Sequence, residues 1–142
     1  EDGIRDPPYS LVGSEMCIRD RDNCNLIGLV ARRGNLLGAD IRNARMDNAQ
    51  LSGANLDGVN LEYSSLNLSD LQQADLSHAR LVGVTLRGSD VRDSRLFMAD
   101  LSYANLSDAN IEGADFTGAI LDNAIWIDKK PCIPGSVGVC KR

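Results

Sequence analysis

Apolar residues recur at every fifth position over most of the chain. The series starts at Leu26 and ends at Trp126, and all 21 of its members are apolar. The residue two places before each of these central residues is Ala in 12 repeats and Ser in 4, and the residue directly before is Asp or Asn in 12. A period of five fits neither the 3.6-residue turn of a helix nor the two-residue repeat of a strand. The pattern therefore predicts short straight pieces, each with one large and one small apolar side chain facing inward.

Turns should separate these pieces. The residue two places after the central one is Gly in 8 of the 21 repeats, and no proline occurs between Asn23 and Lys130. Glycine permits the backbone conformations of tight turns, and the lack of proline keeps every backbone N–H available for a hydrogen-bonded ladder. Because one piece cannot bury its own apolar side, we expect the pieces to stack into a stiff solenoid.

The repeated motif is alanine, then aspartate or asparagine, then leucine, as in Ala54-Asn55-Leu56, Ala74-Asp75-Leu76 and Ala104-Asn105-Leu106. Over residues 24–128 the chain resembles the pentapeptide-repeat proteins. The resemblance implies an all-β fold, a right-handed quadrilateral parallel β-helix with four repeats in each coil and about five coils. Two segments lie outside the region of resemblance: a non-repeat N-terminal segment, 1–23, and a C-terminal tail, 129–142.

The N-terminal segment carries none of the pattern. The stretch from Ser10 to Arg21 resembles a translated sequencing adapter, so the native origin of residues 1–23 is open.

The C-terminal end of the repeat block is more apolar than the rest. Ile120, Ile125 and Ile127 occupy positions that are mostly polar elsewhere, and Trp126 is the only tryptophan. This cluster is expected to be a terminal cap covered by the tail. The alternative is a homodimer interface, since the family resemblance implies pairing through the C-terminal coil.

The tail contains Cys132 and Cys140, with prolines and glycines around them. The two cysteines can form a disulfide, remain two thiols or bind a metal, and the last is disfavoured because His78 is the only histidine. Similar tails occur in exported pentapeptide-repeat proteins. A disulfide would favour the periplasm or the cell exterior, and two thiols the cytoplasm. Cys24 occupies a small-residue position and is expected to be a core thiol.

Acidic residues outnumber basic ones by 20 to 15, which disfavours a nucleic-acid-binding domain. After Arg95 the repeat block has six acids and no base, and these acids form a candidate partner surface: Asp100, Asp108, Glu112, Asp115, Asp122 and Asp128. The fluoroquinolone-resistance members of the family imitate DNA for gyrase with an acidic rod. DNA carries one charge per about 1.7 Å, so a rod of roughly 25 Å would need about 15 acids. A solvated acidic face is therefore the simpler interpretation.

The sequence contains none of the motifs G-x-x-x-x-G-K-[ST], G-x-G-x-x-G, H-E-x-x-H and G-x-S-x-G, which mark common nucleotide-binding and catalytic sites. His78 has Ser77 and Asp75 nearby, but it falls at an outward corner position, where a solvated histidine is expected. Tyr63 and Tyr103 should share one side of the rod two coils apart, beside an exposed Phe97-Met98 pair. These side chains could anchor a partner, although isolated apolar residues are also common on surfaces.

The sequence therefore predicts an acidic bacterial protein that is not an enzyme and needs no cofactor or metal. It would act as a rigid scaffold for an unidentified protein partner, without nucleic acid and without a membrane span, since no apolar run approaches about 18 residues. The alternatives are a DNA-mimicking protein that binds gyrase or topoisomerase, and an exported structural protein.

Overall fold

The computed structural model describes residues 24–142, so the expectation for residues 1–23 lies outside the described residues. From Asn25 onwards the chain repeats one unit, which consists of a bridge residue, a central residue, a two-residue turn and a small inward residue. Parallel bridges join each bridge residue to the one 20 positions later, from Asn25↔Arg45 to Asn105↔Ile125. Four units thus make one coil, and each coil stacks on the next.

The regular structure of this part of the chain consists of these single-residue bridges. Between residues 24 and 142 there is no helix, and each strand is one bridge residue long. These residues accordingly include no helix that is long and apolar enough to cross a membrane.

Every corner is a tight turn. In all of these turns but the one at Ile41, the carbonyl of the central residue accepts the N–H three residues later, as between Leu56 and Val59 at 3.0 Å. The third residue of each turn has a positive φ at every corner from Gly28 to Asn123, which is the conformation of a type II turn. Twelve of these positions carry a side chain, including Tyr63 at 60° and His78 at 59°. A positive φ costs a residue with a side chain roughly 1 kcal/mol. The contacts between stacked coils therefore outweigh the conformational preference of the individual residues.

Backbone hydrogen bonds between coils run along every side. Leu56 N–H donates to the Asp75 carbonyl at 2.7 Å, and Gly58 N–H donates to the Ser77 carbonyl at 2.8 Å. In the other direction, Asn55 N–H donates to the Gly34 carbonyl at 2.8 Å. This pattern repeats from coil to coil and satisfies the backbone groups that the narrow core removes from water.

The core is a bundle of side-chain columns along the rod. Leu36, Leu56, Leu76 and Leu96 form one column, and each is at most 1% exposed. The small inward residues form parallel columns in which serine can replace alanine. Ser64, for example, donates its hydroxyl to the Ile41 carbonyl at 2.6 Å and accepts the Ala44 N–H at 3.0 Å. Buried serines are tolerated because their hydroxyls find partners.

The regular path ends at Trp126. In the turn that follows, the positive φ falls on Lys129 and no longer on the residue two places after the central one. The chain then reverses and runs antiparallel to the last coil, through the bridges Ile125↔Pro131 and Ile120↔Val137. The tail therefore lies over two of the four sides of that coil.

Candidate interaction surface

The Asp and Asn residues before the central positions hold the turns. The side-chain Oδ1 atoms of Asn55, Asp75 and Asp100 each accept the backbone N–H two residues later, at 3.0 to 3.1 Å. The same bond occurs in eleven of the twelve repeats that have Asp or Asn at this position: 25, 35, 55, 60, 70, 75, 90, 100, 105, 110 and 115. These are Asx turns, and they give a structural role to five acids of the repeat block: Asp70, Asp75, Asp90, Asp100 and Asp115.

The six acids of the candidate partner surface are not brought together. Because the coil repeats every 20 residues, Asp108 and Asp128 share one corner, whereas Asp100, Glu112 and Asp115 lie at other places around the rod. Asp100 and Asp115 also accept a backbone N–H in their own turns. The structure thus spreads this charge over several sides.

The basic tail neutralises part of the same charge. Arg142 binds Asp128 at 2.9 Å, and the Lys129 ammonium lies 3.6 Å from Asp108. The hydrogen bond from Arg142 lowers the pKa of Asp128. Asp122 accepts the N–H groups of two tail residues, Gly135 and Ser136, at 2.8 and 3.1 Å.

The tail is hydrogen-bonded to the last coil beside the apolar C-terminal cluster. Leu121 N–H donates to the Ser136 carbonyl at 2.7 Å, and Cys132 N–H donates to the Ala124 carbonyl at 2.8 Å. Beneath this layer, Trp126 packs edge-on against Phe116 with ring centroids 5.4 Å apart. The four members of the cluster differ in exposure: Ile125, Trp126 and Ile127 are partly buried, and Ile120 is 37% exposed.

A disulfide joins Cys132 and Cys140, whose Cα atoms are 5.1 Å apart. Cys132 is buried, and Cys140 packs against the edge of the core. Cys24 is buried at the other end of the rod. No group of three or more His, Cys, Asp or Glu residues between 24 and 142 is arranged to hold a metal ion.

His78 lies on an exposed corner. Its Nδ1 atom is 3.2 Å from Oδ1 of Asp57, one coil below, and its ring meets Phe97 edge-on with centroids 5.6 Å apart. The Asp75 carboxylate accepts a hydrogen bond from the Ser77 backbone N–H at 3.0 Å. The histidine therefore pairs with a carboxylate other than the one that a Ser-His-Asp arrangement would need.

Large exposed side chains flank one side of the rod. The aromatic strip, as we name it, consists of Tyr63, Phe97, Met98 and Tyr103. Phe97 and Met98 are the corner residues that precede the side Ala99–Leu101, and Tyr103 lies in the corner that follows it. Tyr63 shares the corner of Tyr103, two coils away. Their exposed fractions are 63% for Tyr63, 65% for Tyr103, 52% for Met98 and 37% for Phe97.

Two members of the strip lie against glycines of the adjacent coil. The Tyr63 ring lies against Gly83, where an added Cβ would be 2.5 Å from Cδ1 of the ring. Met98 places its sulfur over Gly118 in the same way. The sequence interpretation missed this arrangement, although a large residue followed by glycine 20 positions later was a readable signal. It also missed the reversal of the tail, because nothing in the repeat fixes the direction of the chain beyond its last corner.

Comparisons with known proteins agree with this geometry. The family model for pentapeptide repeats matches eight copies at residues 22–58, 54–93 and 94–125. The search of curated proteins returned no match.

Two solved structures are similar. A pentapeptide repeat protein, Rfr23, from the cyanobacterium Cyanothece 51142 is 25% identical, with a TM-score of 0.63 over 82% of this chain and 99% of its own. QnrB1, a plasmid-mediated fluoroquinolone resistance protein, is 22% identical, with a TM-score of 0.61 over 74% of this chain and 56% of its own. The present chain thus matches little more than half of the QnrB1 chain. On the family match and the stacked five-residue units, the chain belongs to the pentapeptide-repeat family.

Proposed function

We propose that the chain is a right-handed quadrilateral rod of about five coils, without enzymatic activity, whose aromatic strip binds a partner protein. The observation that supports this best is the presence of Tyr63, Phe97 and Tyr103 as exposed side chains beside one side of a hydrogen-bonded rod. Tyrosine and other aromatic residues dominate binding energy at protein interfaces. Because the corners are fixed by inter-coil bonds, little conformational freedom is lost when a partner binds.

Binding through the strip is tested with two variants of the immobilised protein. One is Tyr63→Ala/Phe97→Ala/Tyr103→Ala, and the matched control is Ile27→Ala/Leu68→Ala, which removes exposed apolar side chains from a different corner. The proteins are exposed to a lysate of the source organism, and retained proteins are identified by mass spectrometry. A partner should be retained by the wild type and the control, and its affinity for the strip variant should fall at least about tenfold. Equal retention by both variants would contradict the proposal.

The gyrase-directed DNA mimic is the second candidate, and it draws on the fold likeness to QnrB1. Two features weaken it. The six acids after Arg95 lie on several sides of the rod, and the tail adds four basic residues: Lys129, Lys130, Lys141 and Arg142. Purified protein should therefore leave gyrase supercoiling unchanged at micromolar concentration, and inhibition or protection would favour the mimic.

For the apolar C-terminal cluster we propose a capping role in preference to a homodimer interface. The tail pairs with Ile125 through the bridge to Pro131, and the Lys130 carbonyl accepts the Trp126 N–H at 2.9 Å, which are contacts that a cap makes. Sedimentation analysis should then show a monomer. The disulfide also supports an oxidising compartment, as an exported protein would require.

A further inference from the structure

The tail leaves two of the four sides of the last coil without backbone pairing, although Gly138 comes close to the corner residue Gly118. Its antiparallel bridges, Ile125↔Pro131 and Ile120↔Val137, lie over the sides Ala119–Leu121 and Ala124–Trp126. The other two sides of the coil lie within residues 109–118. We name them the open edge.

Backbone groups along the open edge lack the partners that their equivalents have elsewhere. One coil below, Val91 and Asp93 donate their N–H groups to the carbonyls of Asn110 and Glu112, at 2.9 and 3.0 Å. Ser89 O likewise accepts the N–H of Asn110 at 2.9 Å. Within the described part of the chain, six equivalent groups on the open edge make no hydrogen bond: the N–H groups of Ile111, Gly113, Phe116 and Gly118 and the carbonyls of Ala109 and Ala114.

An apolar floor lies beside these groups. Ile111, Ala114 and Phe116 are partly exposed, whereas the equivalent central residues one coil below, Val91 and Leu96, are 0% and 1% exposed. The open edge therefore combines unpaired donors and acceptors, in coil register, with accessible core side chains. This is the combination that β-strand addition uses, in which main-chain bonds give affinity and side-chain pockets give specificity.

The charge around the open edge distinguishes between possible occupants. Residues 109–118 include Glu112 and Asp115 and no basic residue. Arg92 and Arg95, which interact with these carboxylates, lie one coil below, where Asp90 and Asp93 balance their charge. The hydrogen bonds from Thr117 lower the pKa of Asp115, which keeps it ionised. A second copy of this chain, placed edge to edge, would bring four carboxylates together, and like charges opposed across an interface are unfavourable. A basic segment would be attracted.

We propose that the open edge binds an extended, lysine- or arginine-bearing segment of a partner protein, about ten residues long, which continues the coil by β-pairing. Its small and apolar side chains face Ile111 and Phe116, and its basic side chains face Glu112 and Asp115. The open edge is separate from the aromatic strip, so the proposal for one surface can be refuted while the proposal for the other stands.

The probe is a labelled synthetic peptide that follows the coil pattern, acetyl-AKLKGAKLKG-amide, with acetyl-AELEGAELEG-amide as its charge-reversed control. Binding to the full chain is measured by fluorescence anisotropy, and the contact site by amide shifts and hydrogen exchange in NMR spectra. The lysine peptide should bind at least about tenfold more tightly than the glutamate peptide. Its binding should slow exchange at Ile111, Gly113, Phe116 and Gly118.

Two variants make the test specific. Glu112→Lys/Asp115→Asn removes both carboxylates and adds one base, while an asparagine at position 115 can still accept the Thr117 N–H. This variant should lose the preference for the lysine peptide. The strip variant Tyr63→Ala/Phe97→Ala/Tyr103→Ala should bind the lysine peptide as the wild type does. The proposal is overturned if the peptide shifts amides elsewhere, if it fails to bind, or if the peptide-free protein sediments as a dimer with these four amides already protected.

Discussion

Shortening one central leucine measures how much the core column contributes. Leu76 is 1% exposed and lies in a column between Leu56 and Leu96. Its N–H is held to the Arg95 carbonyl at 2.7 Å, and the coil below is held to it through the bond from Leu56 N–H to the Asp75 carbonyl, also 2.7 Å. These bonds keep the coils apart at a fixed spacing, so the cavity left by Leu76→Ala cannot collapse. We expect a loss of about 3–5 kcal/mol in the free energy of unfolding, in the upper part of the range for Leu→Ala.

The assay is urea unfolding followed by circular dichroism, with Leu68→Ala as the matched control. Leu68 is also a leucine of the repeat block, but it is 65% exposed at a corner. Its removal should cost less than about 0.5 kcal/mol, as is usual for surface substitutions. The reasoning is refuted if Leu76→Ala costs less than about 1 kcal/mol, or if the two variants are equally destabilised with unchanged m-values.

Three further predictions concern the corners, the tail and the charges. Gly83→Ala should cost at least about 1 kcal/mol more than Gly58→Ala in urea unfolding, since both have positive φ but only the first would meet a tyrosine ring; equal costs would contradict the contact. Cys132→Ser/Cys140→Ser should lower the stability of the tail by about 2.5 kcal/mol, because the disulfide no longer closes its loop. The loss should appear as faster amide exchange in the tail, and the wild-type protein reduced with dithiothreitol should exchange at the same rate. Hydrogen bonds hold the pKa of carboxyl groups such as Asp128 below the ordinary 3.8. The stability that these bonds contribute is therefore present above pH 4 and is lost as the pH falls through the depressed pKa. The melting temperature should stay level from pH 7 to 5 and drop below pH 4, and a drop that starts near pH 6 would contradict this prediction.

The five-residue period was enough to predict short stacked pieces separated by turns, whereas the coil of four repeats was implied by the resemblance to pentapeptide-repeat proteins. Leucine at one position, alanine two places before it and Asp or Asn between them each have a separate task in the structure: filling the column, allowing close approach and holding the turn. Asn55 illustrates the last, since its side chain accepts the Asp57 N–H at 3.1 Å. These roles could be predicted from the sequence because each depends only on residues within the same repeat.

Features that depend on two coils or on the tail were harder to predict. The Tyr63 ring lies against Gly83, 20 residues away on the next coil, so the contact depends on two repeats that are not neighbours in the sequence. The acids after Arg95 appeared as one acidic end in the sequence, but the coil distributes them around the rod and the tail pairs two of them with Lys129 and Arg142. The reversal after Trp126 depends on tertiary contacts of a non-repeating segment.

The central claim is that the chain stacks on itself every 20 residues, and cysteine cross-linking tests it most directly. Asn55 and Asp75 are joined by a parallel bridge, so their Cα atoms lie about 4.8 Å apart, within disulfide range. Asn55→Cys/Asp75→Cys should form a disulfide on mild oxidation, located by mass spectrometry of the peptides. The pair Asn55→Cys/Asp70→Cys, on two different sides of the coil, should not. Cross-linking at a spacing of 15, or failure at a spacing of 20, would contradict the account.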